Sequence, residues 1–233
     1  MAQPRINIFP LFASPLVQSG LPDCAALNAR LRELFLQWEA DPSRRRSSAP
    51  TGVMKVAVYE SDFSLFDNAE PEIQALAQFC LQHVGYVMQQ LSGYSAEEMQ
   101  KLRIFQHSWY HLTRHGGYTA QHNHPMASWS GVYCVDPGDP VPDKPNNGAL
   151  RFLDSRTTAS MYLDAGNAHW REPYGFGETA FNLQAGQLLL FPSYLIHEVA
   201  PYYGQRERIT VAFNAWVRES GAGSDEPGVR LRG

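Results

Sequence analysis

From Leu102 onward, apolar and polar positions alternate with a period of two, and turn residues cut the alternation into short runs. The runs Leu102–Thr113, Ser128–Val135, Ala149–Leu153, Glu178–Leu183, Gln187–Phe191, Ile196–Ala200 and Arg208–Val217 predict β-strands. Pieces such as Asp136-Pro-Gly-Asp-Pro140 and Asn146-Asn-Gly148 separate them. Strands at this density, without helices between them, predict an antiparallel sandwich or jelly roll rather than a parallel sheet.

The first half reads differently. Ile6–Pro15 and Val53–Glu60 carry strand-like alternation. Pro22–Glu39 and Pro71–Leu91 place apolar residues at helical spacing, the second through Ile73, Leu76, Phe79, Cys80, Val84, Val87 and Met88. These positions fit packing against a sheet. Ser95-Ala-Glu-Glu98 has the form of a capping box opening a short helix. Asp41–Gly52, with the run Arg44-Arg45-Arg46, reads as a loop with a solvated basic face. The fold class expected is mainly β with flanking α. A single domain over residues 1–220 would have a helical buttress at about 20–100 and a β core at about 102–217, followed by a flexible tail at 221–233.

Composition narrows the setting. With 233 residues, the chain is long enough to bury a core. A net charge of −4 gives no reason to expect nucleic acid or an anionic membrane as partner. No apolar run reaches the roughly 18 residues of a membrane span, and the N-terminus lacks the pattern of a signal peptide. Cys24, Cys80 and Cys134 are scattered without CxxC spacing, which argues for a reducing compartment and hence a cytoplasmic location. A homodimer is the assembly that exposed aromatics would support, although no pattern specifies it.

The chemistry concentrates in Gln121-His122-Asn-His124-Pro125. Histidines at i and i+2 on an extended chain point to one face. His197 follows a buried apolar run and a Pro-Ser break that would aim it across a barrel. Three imidazoles permit zinc as well as iron. In Arg208–Trp216, the alternation puts Arg208, Thr210, Ala212 and Asn214 on one face. A buried guanidinium beside a hydroxyl is costly without a partner and suits a carboxylate held by two bonds. Pairing of Arg208 with a protein carboxylate such as Asp154 is the alternative. His83, His107, His111, His115 and His169 show no comparable spacing.

Several segments resemble the Fe(II)- and 2-oxoglutarate-dependent dioxygenase superfamily, in particular its bacterial and phage branch of 2OG-Fe(II) oxygenases. They are His122-Asn-His-Pro125 with Ser130-Gly-Val-Tyr133, Gly148-Ala-Leu-Arg-Phe-Leu-Asp-Ser-Arg156, Gly186-Gln-Leu-Leu-Leu-Phe-Pro-Ser193, His197, and Arg208-Ile-Thr-Val-Ala-Phe-Asn214. The resemblance implies a double-stranded β-helix (a jelly roll, cupin-like), Fe(II), 2-oxoglutarate as co-substrate, and O2. His122 matches the first metal ligand and His197 the distal one. Arg208 and Thr210 match the co-substrate clamp, with Arg206 as the fallback anchor and Ser130, Tyr133 and Asn214 as further contacts. The chain departs from the superfamily where His124 replaces a carboxylate. Either His124 is the third ligand, or Asp136, Asp154 or water takes that position.

The activity implied is hydroxylation of a small molecule or protein side chain, with release of succinate and CO2. Trp109, Tyr110, Trp129 and Phe152 are candidate walls. The irregular stretches Asp136–Asn147 and Thr157–Gly177 are candidate lids, the second holding Tyr162, His169, Trp170, Arg171 and Tyr174. Two rivals remain: a three-histidine dioxygenase or hydrolase without 2-oxoglutarate, and a non-catalytic metal-binding barrel.

Overall fold

A computed structural model describes residues 5–44, 52–220 and 229–230. Three helices precede most of the strands: α1 (Ala25–Ala40), α2 (Pro71–Ser92) and α3 (Ala96–Gln100). The strands are β1 (Val17–Gly20), β2 (Lys55–Glu60), β3 (Leu102–His122), β4 (Trp129–Asp136), β5 (Leu150–Leu153), β6 (Glu178–Phe181), β7 (Gln187–Pro192), β8 (His197–Tyr202), β9 (Arg208–Glu219) and β10 (Val229–Arg230). They form one antiparallel sheet in the order β1-β7-β4-β9-β3-β8-β5-β6, with β2 and β10 also paired to β3. Sequence neighbours are rarely sheet neighbours. This mainly β, jelly-roll architecture is the class expected from the strand density.

The helices cover one side of the sheet. In α1, Leu31, Phe35 and Trp38 recur every three or four residues and are buried. Phe35 stacks on Tyr110 of β3 with ring centroids 4.2 Å apart. In α2, Ile73, Leu76, Cys80, Val84 and Val87 form a second buried stripe. Pro71 opens that helix, and Gly93 closes it with φ +67°, a left-handed conformation that glycine adopts without strain. These side chains join Tyr133, Leu188, Leu190, Val211 and Phe213 in one apolar core. Fully burying each large one contributes roughly 1.5–3 kcal/mol. The capping box at Ser95 is present: its side chain accepts from Glu98 N–H, and Glu98 accepts from Ser95 N–H. A smaller core of Leu150, Phe152, Leu183, Leu189, Phe191 and Leu195 lies beyond the sheet from the helices.

Three expectations need correction. Ile6–Pro15 is not a strand: Ile6, Ile8, Phe9, Leu11 and Phe12 are exposed and lack a ladder partner, and the first strand starts at Val17. The strand expected over Leu102–Thr113 ends neither there nor at Gly116-Gly117. Strand β3 runs through both glycines, with φ +77° at Gly116 and register shifts against β8 immediately beyond. Gly117 has no room for a side chain, because a Cβ would lie 2.7 Å from the Arg114 carbonyl and 2.8 Å from that of Ala57. The end of the chain contributes β10 to the sheet. The rest of the expected flexible tail lies outside the described residues, as do Arg45 and Arg46 of the basic run.

Candidate metal and anion site

Strand β3 bends past its glycines so that its two ends serve different partners. Its first part pairs with β9 from Leu102↔Glu219 to Thr113↔Arg208. Its last residue, His122, pairs with His197 at the start of β8. Residues paired in register project from the same face, so the two imidazoles stand together with ring centroids 4.2 Å apart. His124 lies two residues past the strand end, and its N–H donates to the Ser193 carbonyl at 3.0 Å. That bond swings its ring back to 5.0 Å from His122 and 5.1 Å from His197. One nitrogen from each of the three rings falls within a common span of 4.8 Å.

The donor chemistry fits a cation. His122 Nδ1 bonds the Ala120 carbonyl at 2.8 Å, and His197 Nδ1 bonds the Leu195 carbonyl at 2.9 Å. A carbonyl only accepts, so Nδ1 carries the hydrogen in both rings and the Nε2 lone pair stays available. Burial pulls all three histidines below their ordinary pKa, His124 to about 3 and His197 to about 4, and repulsion from the neighbouring rings adds to the effect at His124 and His197. The rings are therefore neutral at pH 7, as metal ligands must be.

Arg208 and Thr210 lie in the same pocket and are 4% and 3% exposed. The Arg208 guanidinium makes no hydrogen bond or ion pair among the described residues, and its burial favours the uncharged form. A buried cation without an anion is costly, and an incoming carboxylate would remove the cost. Asp154 does not fill this role, since it is held by Arg156 at 2.8 Å. Arg206 is turned outward, half exposed, and bound to Asp139 at 2.8 Å. The pocket between the histidines and Arg208 measures 40 Å³.

Ser130 lines this pocket; its hydroxyl lies 2.7 Å from that of Ser193 and donates to Asn214 Oδ1 at 2.7 Å. Asn214 sits behind Ser130 rather than on the pocket wall. Tyr133 faces the other way: its hydroxyl donates to Asn28 of α1 at 2.8 Å, inside the helix-facing core. The reason is parity, because Ser130 and Tyr133 are three residues apart on one strand and project from opposite faces. Two residues that the sequence pattern did not single out, His111 and Thr119, also line the pocket. His111 Nε2 lies 2.8 Å from Glu60 of β2, which also pairs with Lys55 at 2.9 Å. No spacing rule joins His111 to Glu60; only the β2–β3 ladder, which pairs them directly, does so. Among the expected walls, Trp109 lines the pocket, with its ring 5.9 Å from His124, while Tyr110 packs under α1.

Residues 107–214 match the family model described as "Putative 2OG-Fe(II) oxygenase". A prolyl-4-hydroxylase from Pseudomonas putida superposes with a TM-score of 0.53 at 21% identity, over 88% of this chain and 93% of that one. The 2-oxoglutarate-dependent epimerase SnoN of nogalamycin biosynthesis gives 0.58 at 14% identity, over 95% and 90%. HygX from Streptomyces hygroscopicus, solved with nickel, 2-oxoglutarate and hygromycin B, gives 0.53 at 10% identity, over 92% and 86%. No curated protein matches the chain.

Proposed function

Since residues 107–214 match the model of the 2OG-Fe(II) oxygenase family, we propose that His122, His124 and His197 hold the Fe(II) of an oxygenase and that Arg208 anchors its 2-oxoglutarate. The observation that carries the assignment is the shared pocket: three neutral imidazoles converge at one end, and a buried cation without an anion stands at the other. When bound, iron and 2-oxoglutarate supply the oxidising chemistry, consuming O2 and releasing succinate and CO2 as the substrate is hydroxylated.

The chain's own residues do the positioning. The Ala120 and Leu195 carbonyls fix the tautomers of His122 and His197. Arg208, with the Thr210 hydroxyl two residues on, takes the far carboxylate of the diacid. Ser130 is a further polar contact along the wall, supported from behind by Asn214. Leu150, Phe191 and Val199 keep water from the rest of the pocket. At 40 Å³ the pocket is smaller than the roughly 300–1,000 Å³ of ordinary ligand sites, so side chains turn aside to admit a five-carbon diacid. The substrate is a small molecule or a peptide side chain. The three free cysteines support a cytoplasmic setting, and among the described residues no helix is long and apolar enough to cross a membrane.

The test is a thermal-stability titration with Mn(II) and the unreactive analogue N-oxalylglycine. Metal and analogue together should stabilise the fold by about 2.7 kcal/mol at a hundredfold excess over Kd. Arg208→Ala should keep the response to metal and lose the response to the analogue. A three-histidine centre working without 2-oxoglutarate is favoured by the absence of any carboxylate from the described ligand cluster. It predicts a response to metal alone, no succinate, and indifference to Arg208.

A further inference from the structure

A second cavity, of about 550 Å³, is lined by two residues that contact His197, Phe152 and Leu195. Its floor is Phe152 and Leu195. Phe152 pairs with His197 across the β5–β8 ladder, with rings 6.0 Å apart, and the Leu195 carbonyl accepts the His197 Nδ1–H. Its walls come from the exposed segment around Phe12 and from the long connection between β5 and β6, including Trp170 and Phe176. The volume falls within the roughly 300–1,000 Å³ of ordinary ligand sites.

The charges around this cavity are unbalanced. Asp154, Glu172 and Glu178 line it, against Arg156 alone. Arg156 is committed to Asp154, which it grips through Nε at 3.0 Å and a terminal nitrogen at 2.8 Å. Glu178 shares Arg151 with Glu198, so two carboxylates draw on one guanidinium. Glu172 makes no hydrogen bond or ion pair among the described residues. Aromatic faces accompany this negative excess: Trp170 and Phe176 meet edge to face at 6.2 Å, and Trp170 Nε1 donates to the Gly166 carbonyl at 2.9 Å, which fixes the indole. Carboxylates beside aromatic rings attract a cationic nitrogen through charge and through the ring quadrupole together.

We propose that this cavity receives the substrate, and that the substrate is an organic ammonium: a protonated amine carried on an apolar or aromatic body. The amine rests between Glu172 and the Trp170–Phe176 pair, and the body lies over Phe152 toward His197. The assignment of the occupant as substrate rests on the oxygenase reading; the selectivity for a cation does not.

The experiment titrates the full chain calorimetrically with phenethylamine and with its anionic counterpart 3-phenylpropionate, at low and at raised salt. The amine should bind about tenfold more tightly than the acid, and salt should narrow the gap. Glu172→Gln should weaken the amine about fivefold or more and leave the acid unchanged or improved, while Trp170→Ala weakens both. Equal or better binding of the acid, binding of neither probe, or indifference of the amine to Glu172→Gln overturns the proposal. The same proteins are then scanned with Mn(II) and N-oxalylglycine. If the wild type responds to amine but not to metal and analogue, the oxygenase reading fails and the cation site stands. If it responds to metal and analogue but shows no preference for the amine, the reverse holds.

Discussion

Gly148 and Arg208 are in contact: a Cβ built on Gly148 would lie 2.9 Å from Arg208 Cδ and 3.1 Å from its Nε. The glycine also holds φ +64°, so a side chain there would be strained in any surroundings. The stem of the buried cation therefore runs over bare backbone. Gly148→Ala should displace the guanidinium and cost about 1–3 kcal/mol in stability. N-oxalylglycine binding should fall at least tenfold while Mn(II) binding changes little. Equal losses of both ligands would mean that Gly148 serves only the fold.

Arg208 itself should trade stability against binding. Replacing an unpaired buried cation with an apolar chain of similar length removes a desolvation cost. Arg208→Met should therefore raise the melting temperature of the metal-free protein by roughly 2–4 °C for each kcal/mol relieved, and abolish stabilisation by N-oxalylglycine. A lowered melting temperature would show that the guanidinium already has a partner.

His124 tests the metal centre, because its ring is placed by a backbone bond beyond the strand rather than by the ladder. His124→Ala should reduce Mn(II) affinity by about a hundredfold or more, exceeding the 10–100-fold typical of outer-shell losses, with the fold retained. An unchanged affinity, measured by competition with a chelating dye, would remove His124 from the ligand set.

Asp139 should mark the acid limit of the loop that it ties down. It accepts from the N–H groups of Arg206 and Gln205 and from the Arg206 guanidinium, each at 2.8 Å. The backbone bond from Arg206, its side chain and the Gln205 bond hold the carboxyl at about 2, below its ordinary value of 3.8. A folded pKa below the unfolded one stabilises fully above the unfolded value, and the contribution disappears as pH falls through the folded one. The stability gap between wild type and Asp139→Asn should therefore be widest above about pH 5 and close toward pH 2. A gap independent of pH would contradict the assignment.

Gly131 is pressed against Phe213, where a Cβ would come within 2.2 Å of the ring. Both residues lie on paired central strands and have little freedom to part. Gly131→Ala should cost about 1–3 kcal/mol by overpacking, seen as a lower urea midpoint with unchanged slope.

The sheet was legible because a period of two is hard to counterfeit over eight residues: Ser128–Val135 was expected and Trp129–Asp136 is found. His122, His197 and Arg208 stand at strand positions whose facing the alternation implies, whereas His124 lies past the strand end and is placed by its bond to the Ser193 carbonyl. Tyr133 matches the family pattern but stands at the opposite parity to Ser130 on β4, and its hydroxyl therefore bonds Asn28 in the helix-facing core. Ile6–Pro15 alternates like a strand yet finds no neighbour to pair with. His111 and Glu60 are 51 positions apart and meet only through the β2–β3 register, so local pattern held no trace of them.

Strand β3 carries both halves of the site on one unbroken length of backbone, with Thr113 beside Arg208 and His122 beside His197. The stretch between them therefore behaves as a ruler. Losing or gaining one residue there would reverse which way every later side chain points and send the His122 ring out of the pocket. Within this stretch the two pairings fix the number of residues, and crowding at Gly117 fixes that residue as well.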